Sequence, residues 1–275
     1  KKTRAIIFVD YAGQPCDMEA IKKIAGKKSI YIIEDASNAI GGRYENGQKV
    51  GACDSSEMAI FSFHPVKTIA TGEGGAIATN DKTLYERLLL LRNHGITKEP
   101  TQFQCHHPSF TIHASEPPGP WYYEMLDLGY NYRMTDIQAA LGISQIKKIE
   151  GFIRRRREIV RAYNEAFKGS EWLTTPYEKP GVFSAFHLYV VKIDFARIRK
   201  TRTQVMQELK EKGIGTQVHY IPVHLQPYYR ENYGYKEGDY PKAEAYYRQC
   251  LSIPLYPKMT DEDVQRVIDA VITLS

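Results

Sequence analysis

Cysteine is scarce and poorly spaced for cross-linking: the four in this chain of 275 residues, Cys16, Cys53, Cys105 and Cys250, include no Cys-x-x-Cys pair. That spacing excludes a zinc ribbon, a dithiol redox motif and a disulfide scaffold, and reduced thiols are the simplest state. No apolar tract is long enough to cross a bilayer and no charged-then-apolar leader opens the sequence, so a cytoplasmic protein with no membrane partner is expected. Internal repeats and low-complexity segments are also missing. So is a concentrated basic patch. The formal net charge is +5, but the basic residues are dispersed, and the densest run, Arg154, Arg155, Arg156 and Arg157, falls inside a helical pattern. It reads as a solvated helix face, and with no recognised nucleic-acid motif beside it, no nucleic-acid partner is expected.

What is present is an ordinary globular composition, 43% apolar and 25% charged, in a length that suits one large domain or two smaller ones. The apolar run "RAIIFVD" and the run "SIYIIED" flank a helical pattern with Asp17 as its cap, Met18, Ile21 and Ile24 at helical spacing and Gly26 near its end. The second run is of the kind found in parallel strands buried on both faces. "MAIFSF" and "GGAIATN" are two further strands, close enough together to form a hairpin or a mixed edge. "NDKTLYERLLLLRNHG" follows as a helix with Asn80 or Asp81 as cap and Gly95 at its stop. Residues 96–129 show neither period and read as a long loop. From Thr135 a helical pattern runs to Phe167, with Gly142 and Gly151 as the points where it bends. Beyond it a strand "AFHLYVVKID", a helix "TRTQVMQELKEKG", a strand "TQVHYI" and two closing helices, "PKAEAYYRQCLSI" and "TDEDVQRVIDAVITL", make a small α+β unit. The division expected is 1–150 for a mostly parallel α/β unit that includes the start of the long helix, and 151–275 for the small one.

In a parallel α/β sheet, ligands bind past the carboxyl ends of the strands. Asp35, Ser62 and Lys67 all lie there. Asp35 taken alone is equally a turn former, and Lys67 alone a solvated loop lysine. Together they match what pyridoxal phosphate requires: an amine to bond the aldehyde, a carboxylate facing the pyridinium nitrogen and hydroxyl donors for the phosphate. "TGEGGA" is neither a Walker A loop nor a dinucleotide fingerprint, and serves as a flexible turn. Cys105, His106, His107 and His113 fit no metal-ligand spacing, so a polar surface loop and no metal is the expectation. His187, His219 and His224, in or beside strands of the small unit, read as satisfied structural histidines.

The segments "IEDASNAIGGRY", "FSFHPVK", "GEGGAIATND", "LRNHG" and "LGYNYRMTDIQAALGISQIKKI" together resemble the DegT/DnrJ/EryC1/StrS family of sugar-nucleotide aminotransferases. The resemblance extends along the whole chain and implies a fold type I pyridoxal-phosphate transferase, aspartate aminotransferase-like, with a large and a small domain. It implies Lys67 as the Schiff-base lysine, Asp35 as partner of the pyridine nitrogen, Ser62 as a phosphate ligand and Asn38 at the position that touches the ring oxygen, where the family has the longer Gln or His. Asn131 would reach the phosphate in the neighbouring subunit of a homodimer with a shared active site. Keeping lysine at position 67 favours transamination over the dehydratase chemistry of members that replace it. "FSFHPVK" and "GIGTQVHYIPVH" are most similar to the branch that aminates a UDP-linked 4-keto-6-deoxy-N-acetylaltrosamine for pseudaminic acid, with glutamate as the expected donor. The family pattern also has a preceding segment with a phosphate-binding Gly-Thr/Ser turn and a ring-stacking aromatic, neither found in these residues. The 275 residues alone are therefore expected to bind the cofactor poorly. The rival expectation is a non-catalytic assembly partner of a complete subunit.

Overall fold

The structure is a computed structural model that describes residues 2–26, 30–104 and 119–275. The first apolar run forms strand β1 (Ala5–Val9), and the second, beyond helix α1 (Met18–Gly26), forms β2 (Tyr31–Asp35), parallel to β1 with Val9 opposite Asp35. β3 (Met58–Ser62) adds in parallel and β4 (Gly75–Ala78) returns antiparallel, giving the order β1-β2-β3-β4 with the expected mixed edge. Asp17 caps α1 by accepting from the Ala20 N–H at 3.1 Å.

One face of this sheet is covered. Phe8 and Ile32 turn toward α1 and bury with Met18 and Ala25. On the other face Ile7 is 63% exposed, Tyr31 62% and Ile77 49%. The expectation that the β2 run is buried on both faces is therefore corrected: α1 packs on one side, and among the described residues nothing buries these side chains on the other. Ile24 also departs from its expected place, since it lies on the outer side of α1 and is exposed.

Helix α2 (Lys82–Leu91) takes Asp81 as its cap, the carboxylate accepting from Leu84 N–H at 3.0 Å, and Gly95 turns the chain at φ +69°. The segment read as a loop holds a short ladder, β5 (Ile96–Thr97) against β6 (Glu124–Met125). Cys105, His106, His107 and His113 lie outside the described residues. The long helical pattern is two helices, α3 (Asp136–Ile146) and α4 (Ile149–Ala166), and the break falls at Lys147 and Lys148, at neither glycine. There the Lys148 N–H donates to the Gln145 carbonyl at 2.9 Å, a 3₁₀-type closure that ends α3.

The largest core belongs to the C-terminal part. β7 (Leu173–Thr174), β8 (Tyr189–Ile193) and β9 (Cys250–Ile253) form an antiparallel sheet in that order. Tyr163 and Phe167 from α4 and its end, Leu209 from α5 (Arg202–Glu211) and Val267 and Val271 from α8 (Asp261–Ile272) bury against it. α6 (Pro227–Tyr233) and α7 (Pro241–Gln249) lie between α5 and β9 in the chain. Two expectations fail here. "TQVHYI" contributes only a bridge of Gln217 to Ser252, and the helix expected to run through "CLSI" ends at Gln249, because Cys250 turns extended to pair with Lys192 of β8.

The arginine run is not a solvated face. Arg154 is exposed, but Arg156 is 4% exposed and its Nη1 donates to the carbonyls of Phe186, His187 and Leu255 at 3.2, 3.0 and 2.8 Å. Arg155 bonds Asp261 at 2.7 Å, and Arg157 bonds Glu178 at 2.6 Å with its guanidinium 4.1 Å above the Phe183 ring centre. Consecutive helical residues point around the axis, so a run of four cannot share one face; three of these turn to packed neighbours.

Candidate active site

Parallel pairing brings the carboxyl ends of β1, β2 and β3 to one edge. Asp35 pairs with Ile60, so the two-residue period of a strand puts Ser62 on the same face as Asp35. The Asp35 carboxylate accepts from Ser37 N–H at 3.0 Å, and the Asp10 N–H extends the ladder to the Asp35 carbonyl at 3.0 Å. Past Ser62 the chain makes a tight turn in which Lys67 N–H donates to the His64 carbonyl at 2.9 Å. The lysine is thus returned toward the strand end it has just left. "TGEGGA" behaves as the expected turn: the Glu73 carbonyl accepts from Thr71 Oγ1 at 2.7 Å and from Gln138 Nε2 at 2.9 Å.

The Lys67 amine is half-buried. Burial lowers its pKa, and the nearby negative charge of Asp35 pulls it partly back. The same amine acts on two histidines. Burial pushes His187 down to about 3, with the Arg156 and Lys67 charges adding to the effect, and lowers His219, with Lys67 again adding. Burial and the Asp35 charge both raise Tyr220. Lys67, Asp35, His187, His219 and Tyr220 therefore share one electrostatic neighbourhood, with both imidazoles kept neutral.

A turn after β1 mounts these groups. Ala12 and Gly13 have φ of +58° and +99°, which lets their carbonyls accept from Leu188 N–H at 3.3 Å and Ala185 N–H at 2.9 Å. A Cβ on Gly13 would stand 2.6 Å from Phe186 N and 2.8 Å from His187 N, so glycine is required by the approach as well as by the dihedral. Arg156 clamps the same stretch from the other side through the Phe186 and His187 carbonyls.

Asn38, 7% exposed, spends its side-chain oxygen on this turn, accepting from Ala12 N–H at 3.3 Å. Asn131 is exposed and bridges Asn93; no hydrogen bond among the described residues joins it to Asp35, Ser62 or Lys67. Of the residues singled out from sequence, Asp35 and Ser62 share a face at one sheet edge, the Lys67 amine feels the Asp35 charge, Asn38 holds the turn after β1, and Asn131 bonds none of them among the described residues. The histidines divide. His224 is a satisfied buried group, Nε2 lying 2.9 Å from Glu244, whereas the buried His187 leaves Nδ1 without a protein partner and both His187 and His219 face the lysine's charge. Nothing in their local spacing marks them, because the C-terminal segments that carry them come within reach of the Lys67 charge only in the tertiary fold.

A cavity of about 280 Å³ lies elsewhere, on the α1 side of the sheet, lined by Cys16, Glu34, Tyr44, Cys53 and Lys179 and by none of Asp35, Ser62 or Lys67. No group of three or more metal-ligating side chains occurs among the described residues. Chemically, the Lys67 cluster offers an amine that burial holds short of full basicity, a carboxylate, a hydroxyl and neutral imidazoles. Such a set can form and break a carbon–nitrogen double bond and carry a proton beside it.

The family model of the DegT/DnrJ/EryC1/StrS aminotransferases matches residues 1–272. An uncharacterized protein of Methanocaldococcus jannaschii is 46% identical over 98% of this chain and 67% of its own length. The UDP-4-amino-4,6-dideoxy-N-acetyl-beta-L-altrosamine transaminase of Campylobacter jejuni is 35% identical over 98% of this chain and 65% of its own length. Among solved structures, the Helicobacter pylori aminotransferase PseC, described as involved in the biosynthesis of pseudaminic acid, superposes with a TM-score of 0.86 at 31% identity, over 99% of this chain and 67% of that one. A putative sugar aminotransferase of Streptococcus pneumoniae in its PLP form superposes at 0.84 with 29% identity, over 99% of this chain and 68% of that one. The chain thus spans about two thirds of the length of the relatives it matches.

Proposed function

Because the chain belongs to the DegT/DnrJ/EryC1/StrS aminotransferase family, we propose that the protein carrying it is a pyridoxal-phosphate-dependent transaminase that moves an amino group onto a nucleotide-linked keto sugar. The observation that carries this reading is the convergence of Lys67, its basicity lowered by burial, with the carboxylate of Asp35 at one sheet edge. These residues fit the cofactor in kind. Lys67 would hold its aldehyde, Asp35 its ring nitrogen and Ser62 its phosphate.

When bound, pyridoxal phosphate supplies a carbonyl to carry the amino group and an electron-poor ring to stabilise negative charge at the reacting carbon. The chain's own residues do the rest. Asp35 keeps a proton on the ring nitrogen. Lys67 would take a proton at the reacting carbon and return it beside it, a role suited to an amine whose basicity burial lowers. Asn38 holds the turn after β1 through Ala12. Burial disfavours the charged form of both His187 and His219, so neither adds much competing positive charge.

The finer reading follows the relatives. A UDP-linked 4-keto-6-deoxy-N-acetylhexosamine is the substrate and glutamate the donor, in keeping with the named Campylobacter jejuni relative. Asn131, exposed and away from the cluster, suits a shared site in a homodimer, where it would reach the phosphate bound to the partner subunit. Residues 1–150 act as the cofactor-binding unit and 151–275 as the small domain. The free thiols Cys16, Cys53 and Cys250 suit a reducing cytoplasm. In the full-length protein, Lys67→Ala is expected to abolish turnover together with the visible absorbance of lysine-bound cofactor. Retained turnover in that variant would refute the assignment.

A further inference from the structure

Tyr11 follows directly on the β1 edge and reaches into the C-terminal unit. Its hydroxyl donates to the carbonyl of His219, 208 positions along the chain, and receives a hydrogen bond from the Tyr246 hydroxyl at 3.4 Å. Its ring meets Tyr220 edge-on at 6.4 Å and Tyr246 at 5.9 Å. The stretch it holds is also pinned at its start, where Gln217 and Ser252 exchange backbone hydrogen bonds of 3.2 and 2.8 Å, by Val218 against the large core, and through the His219 ring, whose Nδ1 lies 2.7 Å from Ser252 Oγ. The ring of Tyr220 stands at 73° to that of His219, the residue is 55% exposed, and the pair lies within reach of the charges of Asp35 and Lys67.

We propose that Tyr11 is a positioning residue for the sugar substrate: by gripping the His219 carbonyl it fixes His219 and Tyr220 as the wall against which the sugar is seated. The inference rests on the transaminase reading above. The chemistry of the wall selects the ligand. It presents a neutral imidazole and a protonated phenol and no fixed cation, so it offers little to the carboxylates of an amino-acid donor. Aromatic rings bearing polar edges suit instead the alternating C–H and hydroxyl surface of a sugar. Tyr11 would therefore act on one half of the reaction only.

The test is Tyr11→Phe in the full-length, cofactor-loaded protein, with the two halves measured separately. Glutamate is added first and the loss of visible absorbance followed; a UDP-linked 4-keto sugar is added next and its return followed. The expected result is unchanged absorbance of lysine-bound cofactor, a donor half-reaction within about twofold of the parent, and a half-saturating sugar concentration raised about fivefold to tenfold, the loss typical of one hydrogen bond. Ser252→Ala, which frees the His219 ring while leaving Tyr11 in place, is expected to show the same one-sided change. If Tyr11→Phe does not fold, an unchanged sugar dependence in Ser252→Ala still overturns the inference, because the His219 wall would then play no part in seating the sugar. Equal slowing of both halves, an unchanged sugar dependence, or lost cofactor absorbance in the variants overturns the inference. If the unaltered protein shows no lysine-bound absorbance, the transaminase reading falls, and this one with it.

Discussion

Asp10 and Glu34 are 0% and 1% exposed and share a pocket under the sheet. Tyr44 Oη donates to Glu34 Oε1 at 2.6 Å and reaches Asp10 Oδ2 at 3.5 Å, while Cys16 N–H donates to Asp10 Oδ1 at 2.8 Å. Among the described residues no lysine or arginine bonds either carboxyl. Burial first, and then the Glu34 charge, push Asp10 up to about 8 from its usual 3.8. The folded protein therefore keeps a proton there that the unfolded chain releases near pH 4. Stability from this group is complete below the unfolded value, and is lost as pH rises toward and through 8. One proton of difference gives a slope of about 1.4 kcal/mol per pH unit, so the loss between pH 5 and 8 has a ceiling of roughly 4 kcal/mol. His187 has the opposite sign. Its folded pKa of about 3 makes stability rise with pH until about 6.5, the unfolded value. Comparing the parent with Asp10→Asn removes that term, because the amide retains the shape and cannot ionise. Urea unfolding at constant ionic strength from pH 5 to 9 should show the parent losing its advantage over the variant as pH increases. Parallel curves for the two proteins, or a parent that gains on the variant with rising pH, would refute the shared-proton argument.

Gly13→Ala should destabilise by about 2–3 kcal/mol in urea unfolding, since the residue sits at φ +99° and its new methyl would meet the Phe186 and His187 backbone; a change under 0.5 kcal/mol would contradict the close approach. Arg156→Leu leaves the carbonyls of Phe186, His187 and Leu255 without their donor and should cost about 3 kcal/mol or more. The same variant removes a positive neighbour of His187, so the imidazole should titrate at higher pH by NMR in Arg156→Leu than in the parent.

The sheet and most helices were legible because their signals are local. The apolar runs at residues 5–9 and 31–35, the Asp81 cap and the threonine caps that open α3, α5 and α8 act within a few residues of themselves. What misled was tertiary. Four consecutive arginines look solvated until Phe186, Phe183 and Asp261 are brought against them. "CLSI" continues a helical pattern in sequence, but β8 lies alongside to accept it as a strand. Asp35, Ser62 and Lys67 could be picked out because strand ends are predictable from the runs that precede them. His187, His219, Tyr220 and Tyr11 could not, since their relation to Lys67 depends on how one sheet is set against another.

That relation is carried by a seam between the two units. The amine and carboxylate belong to the four-stranded sheet, whereas both imidazoles and Tyr220 come from the C-terminal unit, whose large core contains no residue of that sheet. Across the boundary run the backbone bonds of Ala12 and Gly13 to residues 185–188, the paired backbone bonds of Arg43 and Phe183, the ion pairs of Lys179 with Asp17 and Glu45, and the Tyr11 hydroxyl to His219. The placement of the histidines within reach of the Lys67 charge depends on these bonds and not on the packing of the large core. Gly13 and Tyr11 are then the positions at which a small backbone change would separate the two halves of the cluster while leaving the secondary structure intact. A Gly13→Ala protein that keeps its circular dichroism spectrum, yet loses the low His187 pKa, would be the direct sign of that separation.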